Sequence, residues 1–216
     1  MGDTLGGFKM AKTIPMIITN KNILVCDLES GEFIPYNMAG INPAPNIPFY
    51  HEYAEKIAEG QYYFKEFMKA HYGKKLSKYI LAIIVPDDTT KLESIFINEF
   101  FVNSGACKAV AQMPMSLTLS KTQDRYISIS KTQRNVVLEY IKNHEVIVKK
   151  SYDIKDYNPS HIIADANIIH IDVEYNDVPI YVNNFNLNMN DFLEAGEIIS
   201  PKALMKIISN IDVEKI

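Results

Sequence analysis

His161, Asp165, His170 and Asp172 carry the side chains of a metal centre, and His170 and Asp172, two residues apart, would share one face of a strand. Zinc centres need three or four ligands at recognisable spacing, and the chain offers no further one, so these residues are expected on an exposed hairpin face. Asp87-Asp88, directly after an apolar run, could hold Mg²⁺ at the carboxyl edge of a sheet. Aspartate in front of a helix also accepts its free backbone donors, which makes a helix start the expected role. Cys107 has the neighbouring cation of Lys108 to lower its pKa, but no partner base and no Gly-x-Ser-x-Gly elbow accompany it. No catalytic residue is assigned, and no metal. Tyr50, Tyr53, Tyr62, Tyr63, Phe64, Phe67 and Tyr72, interleaved with Lys65, Lys69, Lys74 and Lys75, could stack on single-stranded nucleic acid. The same residues fit a helix with a core side and a solvated lysine side, and exposed tyrosine also suits a protein contact.

Composition weighs on that choice. Lys+Arg 22 against Asp+Glu 26 gives a net charge of −4, which disfavours nucleic-acid binding through a general basic field. With 47% apolar and 22% charged residues the chain is an ordinary soluble sequence, neither disordered nor fibrous. Its 216 residues allow one to two domains and a core that needs no staple. Cys26 and Cys107 lie in apolar runs and are expected to be free, buried thiols. The longest apolar runs, about six residues, are too short for a signal or a membrane span, so a cytoplasmic protein without membrane insertion is expected. Gly6 stands where a myristoylation motif wants Ser or Thr.

Residues 1–13 read as a loose leader. Met16–Thr19, Ile23–Leu28 and Phe33–Tyr36 form a β-meander around the turns Asn20-Lys21-Asn22 and Glu29-Ser30-Gly31. Pro43, Pro45 and Pro48 make Gly40–Pro48 an irregular crossing. From Phe49 to Tyr72 the spacing of Tyr53, Ile57, Phe64 and Met68 predicts one helical face, with Gly60 costing about 1 kcal/mol. Tyr79–Val85, continuously apolar and ended by Pro86, predicts a central strand buried on both faces. Thr90 and Glu93 form a capping box, and Leu92, Ile95, Phe96 and Phe100 give the following helix an apolar stripe up to Ser104 and the stop at Gly105. Cys107–Met113 reads as a strand and Pro114–Leu119 as a short helix. A second meander covers Arg125–Ser130, Asn135–Ile141 and Glu145–Lys150; Ile168–Tyr175 and Pro179–Val182 read as a hairpin about Asn176-Asp177, before helical stretches at Asp191–Ala195 and Pro201–Ile208. The class is α/β: a mixed sheet with packed helices over residues 14–120, then a smaller, strand-rich half over 121–216.

This order, together with Pro86-Asp87-Asp88-Thr89-Thr90, the run Phe100 to Gly105-Ala106, and Met113-Pro114-Met115-Ser116-Leu117, resembles the actin/Hsp70-like ATPase superfamily, nearest to its bacterial cell-shape and pilus-assembly branches. The resemblance covers residues 14–150 and implies an RNase H/actin-like first half. It also implies two glycine-containing hairpins, one from each half, that clamp ATP phosphates through closely approaching backbone donors. At the first, the tetrapeptide matching the family is Asp27-Leu28-Glu29-Ser30, with Glu29 in place of glycine; at the second, where the family has Asp and several glycines, stands Ser128-Ile129-Ser130-Lys131-Thr132-Gln133.

A carboxylate facing a triphosphate is repulsive unless a cation intervenes. The resemblance with these departures implies a degenerate member, a non-catalytic scaffold or interaction module with a protein partner or self-association and no cofactor. The alternative is a nucleotide-binding ATPase with unusual phosphate loops, in which Asp27, Glu29 and Ser30 would meet Mg-ATP; an unrelated α/β protein without ligand is a third reading.

Overall fold

The computed structural model describes residues 11–38, 40–41, 44 and 46–211. Most of the expected leader, and Pro43 and Pro45 of the expected crossing, lie outside the described residues. Strand β1 (Lys12–Ile18) starts inside the stretch expected to be leader. It is followed by β2 (Ile23–Cys26) and β3 (Phe33–Tyr36), the meander. Then come helices α1 (Glu52–Glu55) and α2 (Ile57–Tyr72), β4 (Tyr79–Val85), α3 (Lys91–Asn103) and β5 (Ala109–Pro114). The sheet order is β3-β2-β1-β4-β5, with β4 parallel to both of its neighbours.

A 3₁₀ turn, Met115–Lys121, leads into β6 (Arg125–Lys131), β7 (Asn135–Lys142) and β8 (Glu145–Asp153), the second meander. Helices α4 (Pro159–Asn167) and α5 (Ile171–Tyr175), strands β9 (Ile180–Asn183) and β10 (Glu197–Ile199) and helix α6 (Pro201–Ile208) complete the chain. Their sheet runs β10-β9-β6-β7-β8. Among the described residues, no helix is long and apolar enough to cross a membrane.

Strand alternation builds the layers. Ile14, Met16 and Ile18 of β1, with Leu81, Ile83 and Val85 of β4, face Phe64, Met68, Ile97, Phe100 and Phe101 of the helices. Ile17, Ala82 and Ile84 point the other way, to a cluster with Met115, Leu119, Tyr126, Ile141, Leu204 and Ile208. The first sheet is thus buried on both faces, as the unbroken apolar run of β4 requires. Gly60, in the first turn of α2, permits a close approach: a Cβ there would lie 3.1 Å from Met38 Sδ and from the Phe100 ring.

Four sequence expectations change. The α3 stripe is out of phase: Leu92 and Ile95 are 76% and 51% exposed, and Glu93, Ile97, Phe100 and Phe101 face inward. The capping box sets the first turn, the ion pair with Arg134 holds Glu93 inward, and positions four, seven and eight residues later share its face. Ile57 is also exposed, because the chain leaves helical geometry at Lys56 (φ −129°) and α2 restarts in a new phase. The hairpin about Asn176-Asp177 does not form. Asn158 caps α4 with Pro159 behind it, His170 caps α5, and β9 pairs in parallel with β6. The stretch Asp191–Ala195 holds only a 3₁₀ turn, Asn190–Phe192.

Candidate functional site

Two hairpin turns, one from each sheet, meet at the carboxyl end of β4. Each opens with a threonine whose hydroxyl closes the turn on itself. Thr19 Oγ1 accepts from the N–H of Lys21 at 3.1 Å and of Asn22 at 3.0 Å. Thr132 Oγ1 accepts from the N–H of Arg134 at 3.2 Å and of Asn135 at 3.0 Å. Backbone donors of this kind are what a turn offers to a phosphate, and here the side chain of the same turn takes them.

Between the turns lies a polar lock made by the residues after β4. Asp88 Oδ2 accepts from Thr132 Oγ1 (2.8 Å), Arg134 Nε (3.0 Å) and Asn135 Nδ2 (3.1 Å). The Arg134 guanidinium also forks onto Glu93 at 2.8 and 3.1 Å and reaches the Asp88 carbonyl at 3.0 Å. Asp87 accepts from Ser116 N–H and from Ser130 Oγ, both at 2.7 Å, and its carbonyl accepts from Lys149 Nζ. Two further bonds tie the turns down: Asn20 N–H to Asn186 Oδ1 at 3.0 Å, and Gln133 Nε2 to the Ala44 carbonyl at 2.8 Å. The space left between Thr19, Asn20, Pro86, Asp88, Thr132 and Gln133 is about 10 Å³, room for about one water molecule. Small-molecule sites enclose about 300–1,000 Å³.

The electrostatics fit a joint. Burial pushes the Glu93 carboxyl up, but hydrogen bonds from Arg134, the Thr90 N–H and His51 outweigh it and hold the group at about 2. Glu139, paired across strands with Lys149 at 3.3 Å, is pushed up to about 7 by burial and then by the charge of Asp87. Burial raises Asp87 itself. Because the folded value of Glu93 lies below its ordinary 4.5, its stabilisation is complete above pH 4.5 and is lost as pH falls from 4.5 towards 2. Denaturation at stepped pH should show that loss, and Glu93→Gln should remove its share of the slope; an unchanged slope in the variant would place the acid sensitivity elsewhere.

Of the residues singled out in the sequence, Asp87, Asp88, Ser130 and Thr132 lie in this site, and the others fall elsewhere. Asp27, Glu29 and Ser30 form the β2–β3 turn, and Asp27 Oδ1 accepts from the N–H of Glu29 (2.8 Å) and Ser30 (3.0 Å). Because β2 runs antiparallel to β1, and β1 parallel to β4, that turn lies at the end of the sheet where β4 begins. It does not face the second hairpin. Asp87 and Asp88 do not cap α3, which Thr90 does; they reach across to the second half. Asp172 binds Tyr140 and Lys142, Asp165 binds Tyr152 and Lys150, and His170 accepts from Asp172 N–H. Burial pushes the Cys107 thiol up to about 11, outweighing a hydrogen bond from the Ala109 N–H that lowers it. Tyr53 is buried and Tyr62 and Tyr63 are exposed.

Thr19 and Arg134 are not among the residues that the motifs point to, and Thr132 enters only as part of the expected second hairpin. Their signal is a repeated tetrapeptide, Thr19-Asn20-Lys21-Asn22 and Thr132-Gln133-Arg134-Asn135: threonine, amide, base, asparagine.

No family model matches the chain, and no curated protein matches it in sequence. Solved structures match in shape. The ethanolamine utilization protein EutJ from Carboxydothermus hydrogenoformans aligns at 13% identity with a TM-score of 0.50, over 91% of this chain and 86% of its own. A proposed N-acetylglucosamine kinase from Porphyromonas gingivalis aligns at 11% identity with a TM-score of 0.54, over 92% of this chain and 99% of its own. A Bacteroides thetaiotaomicron protein with an actin-like ATPase fold and unknown function aligns over 98% of this chain at 9% identity and a TM-score of 0.49. The fold of this chain is the actin-like ATPase fold. At such identities the likeness carries architecture and none of the activities.

Proposed function

We propose that this chain is a non-catalytic scaffold or protein-interaction module in which the cleft of the actin-like fold serves as a fixed joint. The observation that carries the reading is Arg134, clamped between Asp88 and Glu93 inside the cleft, with the turn donors on either side bound to Thr19 and Thr132. A nucleotide would have to displace a guanidinium from two carboxylates and strip both turns of their own hydrogen bonds. Each of those charge-assisted bonds is worth about 1.5–3 kcal/mol.

The interaction role rests on surface the fold leaves uncovered. Leu92, Ile95 and Val102 lie exposed along α3, and β8 ends its sheet with an unpaired edge. Protein contact or self-association suits such surfaces, and the net charge of −4 does not suit nucleic acid. The cytoplasm would keep Cys26 and Cys107 in the free state they have here.

Under this reading the protein has no nucleotide cofactor and does not hydrolyse ATP. A ligand at 100 times its dissociation constant stabilises by about 2.7 kcal/mol. Thermal melts with millimolar Mg-ATP should therefore show no shift, and phosphate release should stay at the level of buffer. Saturable stabilisation at micromolar Mg-ATP, abolished by Asp88→Asn, would establish the competing reading of an ATPase with unusual phosphate loops.

A further inference from the structure

Each sheet ends in two edge strands, and three of the four carry features that resist pairing with another chain. β3 has Pro35 inside it, β10 is three residues long, and β8 carries Glu145, Lys149, Lys150 and Asp153 beside a register shift against β7. β5 has none of these. From Ala109 to Met113 it holds no charge, its proline is its last residue, and among the described residues no strand lies on its outer side. All of its residues are partly exposed. We infer that β5 pairs antiparallel with β5 of a second copy of this chain, so that their first sheets join across a twofold axis. The inference rests on the reading of α3 as an interaction surface, and it names the partner.

The layer above the sheet selects a second copy over any other strand. Antiparallel edges meet about a twofold axis perpendicular to the sheet, so the helices over the two edges stay on one face and run antiparallel. α3 covers this edge: Ile97, Phe100 and Phe101 share a cluster with Leu81, Ile83 and Val85 of β4, and Val110 of β5 packs against it. With strands about 4.8 Å apart, a helix seated over β4 and β5 comes about 10 Å from its copy, the distance at which helices pack. The Gln112 side chain donates to the Ser94 carbonyl at 2.8 Å, which sets Ile95 level with the middle of β5. One axis can therefore pass beside Ile95 and the strand centre together.

The exposed residues of α3 fit that axis. Lys91, Ile95 and Glu99, all exposed, stand four residues apart on one row of the helix, with Ile95 midway. Such a row is complementary to itself. Turned about Ile95, it lays Lys91 against the partner's Glu99 and Glu99 against the partner's Lys91, with the two isoleucines in contact between them. Leu92, exposed one turn before Ile95, widens the apolar strip. An unrelated peptide added to β5 would gain the strand bonds alone, whereas a second copy gains the helix contact and both ion pairs as well. The contact is isologous and closes at two chains.

The test is sedimentation velocity of the whole chain over a micromolar concentration series, with amide exchange of Ala109–Met113 followed at the same concentrations. A reversible monomer–dimer equilibrium without larger species is expected, and exchange in β5 should slow as the dimer forms. Ile95→Glu, Lys91→Glu and Glu99→Lys, each checked at dilution for an unchanged melting temperature, should each weaken the dimer about tenfold, because the twofold axis doubles every change. Lys91→Glu combined with Glu99→Lys should restore it, and Glu145→Lys on the β8 edge should leave it unchanged. A chain that stays monomeric, growth beyond the dimer, or a charge swap that fails to restore association overturns the inference. A dimer indifferent to the α3 variants and broken by Glu145→Lys also overturns it, while the interaction-module reading stands; that reading is tested separately by the Mg-ATP melts.

Discussion

Replacing Arg134 by alanine is expected to destabilise the protein by about 3–5 kcal/mol, the cost of removing one partner from a buried ionic network. The side chains of Asp88 and Glu93 are only 5% and 9% exposed, and Arg134 supplies the cationic partner of Asp88 and two of the bonds to Glu93. Truncation leaves two carboxylates facing one another in low dielectric. Arg134→Lys should recover only part of the loss, since an ammonium keeps the charge but cannot fork onto Glu93 while bonding Asp88 through Nε. Urea denaturation of the three proteins measures both effects. A loss below about 1 kcal/mol for the alanine variant would mean that the lock is a surface ion pair, worth no more than such pairs are.

Phe101→Ala should cost a similar amount, about 3–5 kcal/mol, through lost burial and the cavity left behind. Its ring is 2% exposed, packed edge-on against Phe64 at 4.8 Å and Phe100 at 5.1 Å between centroids. Leu92→Ala on the same helix should change stability by no more than about 0.5 kcal/mol, because that side chain is 76% exposed. The pair of measurements fixes which face of α3 is core. A large loss at Leu92 and a small one at Phe101 would restore the stripe that periodicity alone suggests.

That reversal shows what was legible in the sequence. Continuous apolarity from Tyr79 to Val85 admits only a doubly buried strand, and the capping box at Thr90 and Glu93 sets a helix start through local bonds. The phase of α3 was not legible in the same way, because Leu92, Ile95, Phe96, Ile97, Phe100, Phe101 and Val102 leave apolar residues on more than one side. What selects among them is the inward ion pair of Glu93 with Arg134, 41 residues away. The hairpin expected about Asn176-Asp177 failed because β-branched residues fit strands, while Asn158-Pro159 and His170 start helices by capping.

The site was harder to read for a topological reason. Successive turns of a meander fall at alternate ends of a sheet, so of the two turns around β2 only one can share an end with the carboxyl terminus of β4. The tetrapeptide Asp27-Leu28-Glu29-Ser30 matches the family's residue types but sits at the other end. Thr19 to Asn22 matches them poorly and sits where the second hairpin is. The repeat of that tetrapeptide at Thr132 to Asn135 was in view all along; its meaning depended on the two turns meeting in space.

The central claim, that the turns of this actin-like fold keep their donors for themselves, is tested most directly by backbone amide NMR during a Mg-ATP titration. The resonances to follow are those of Asn22, Arg134 and Asn135. The account predicts that the three turn amides do not move through millimolar Mg-ATP. Saturable shifts of the turn amides, moving together at micromolar concentrations, would contradict it.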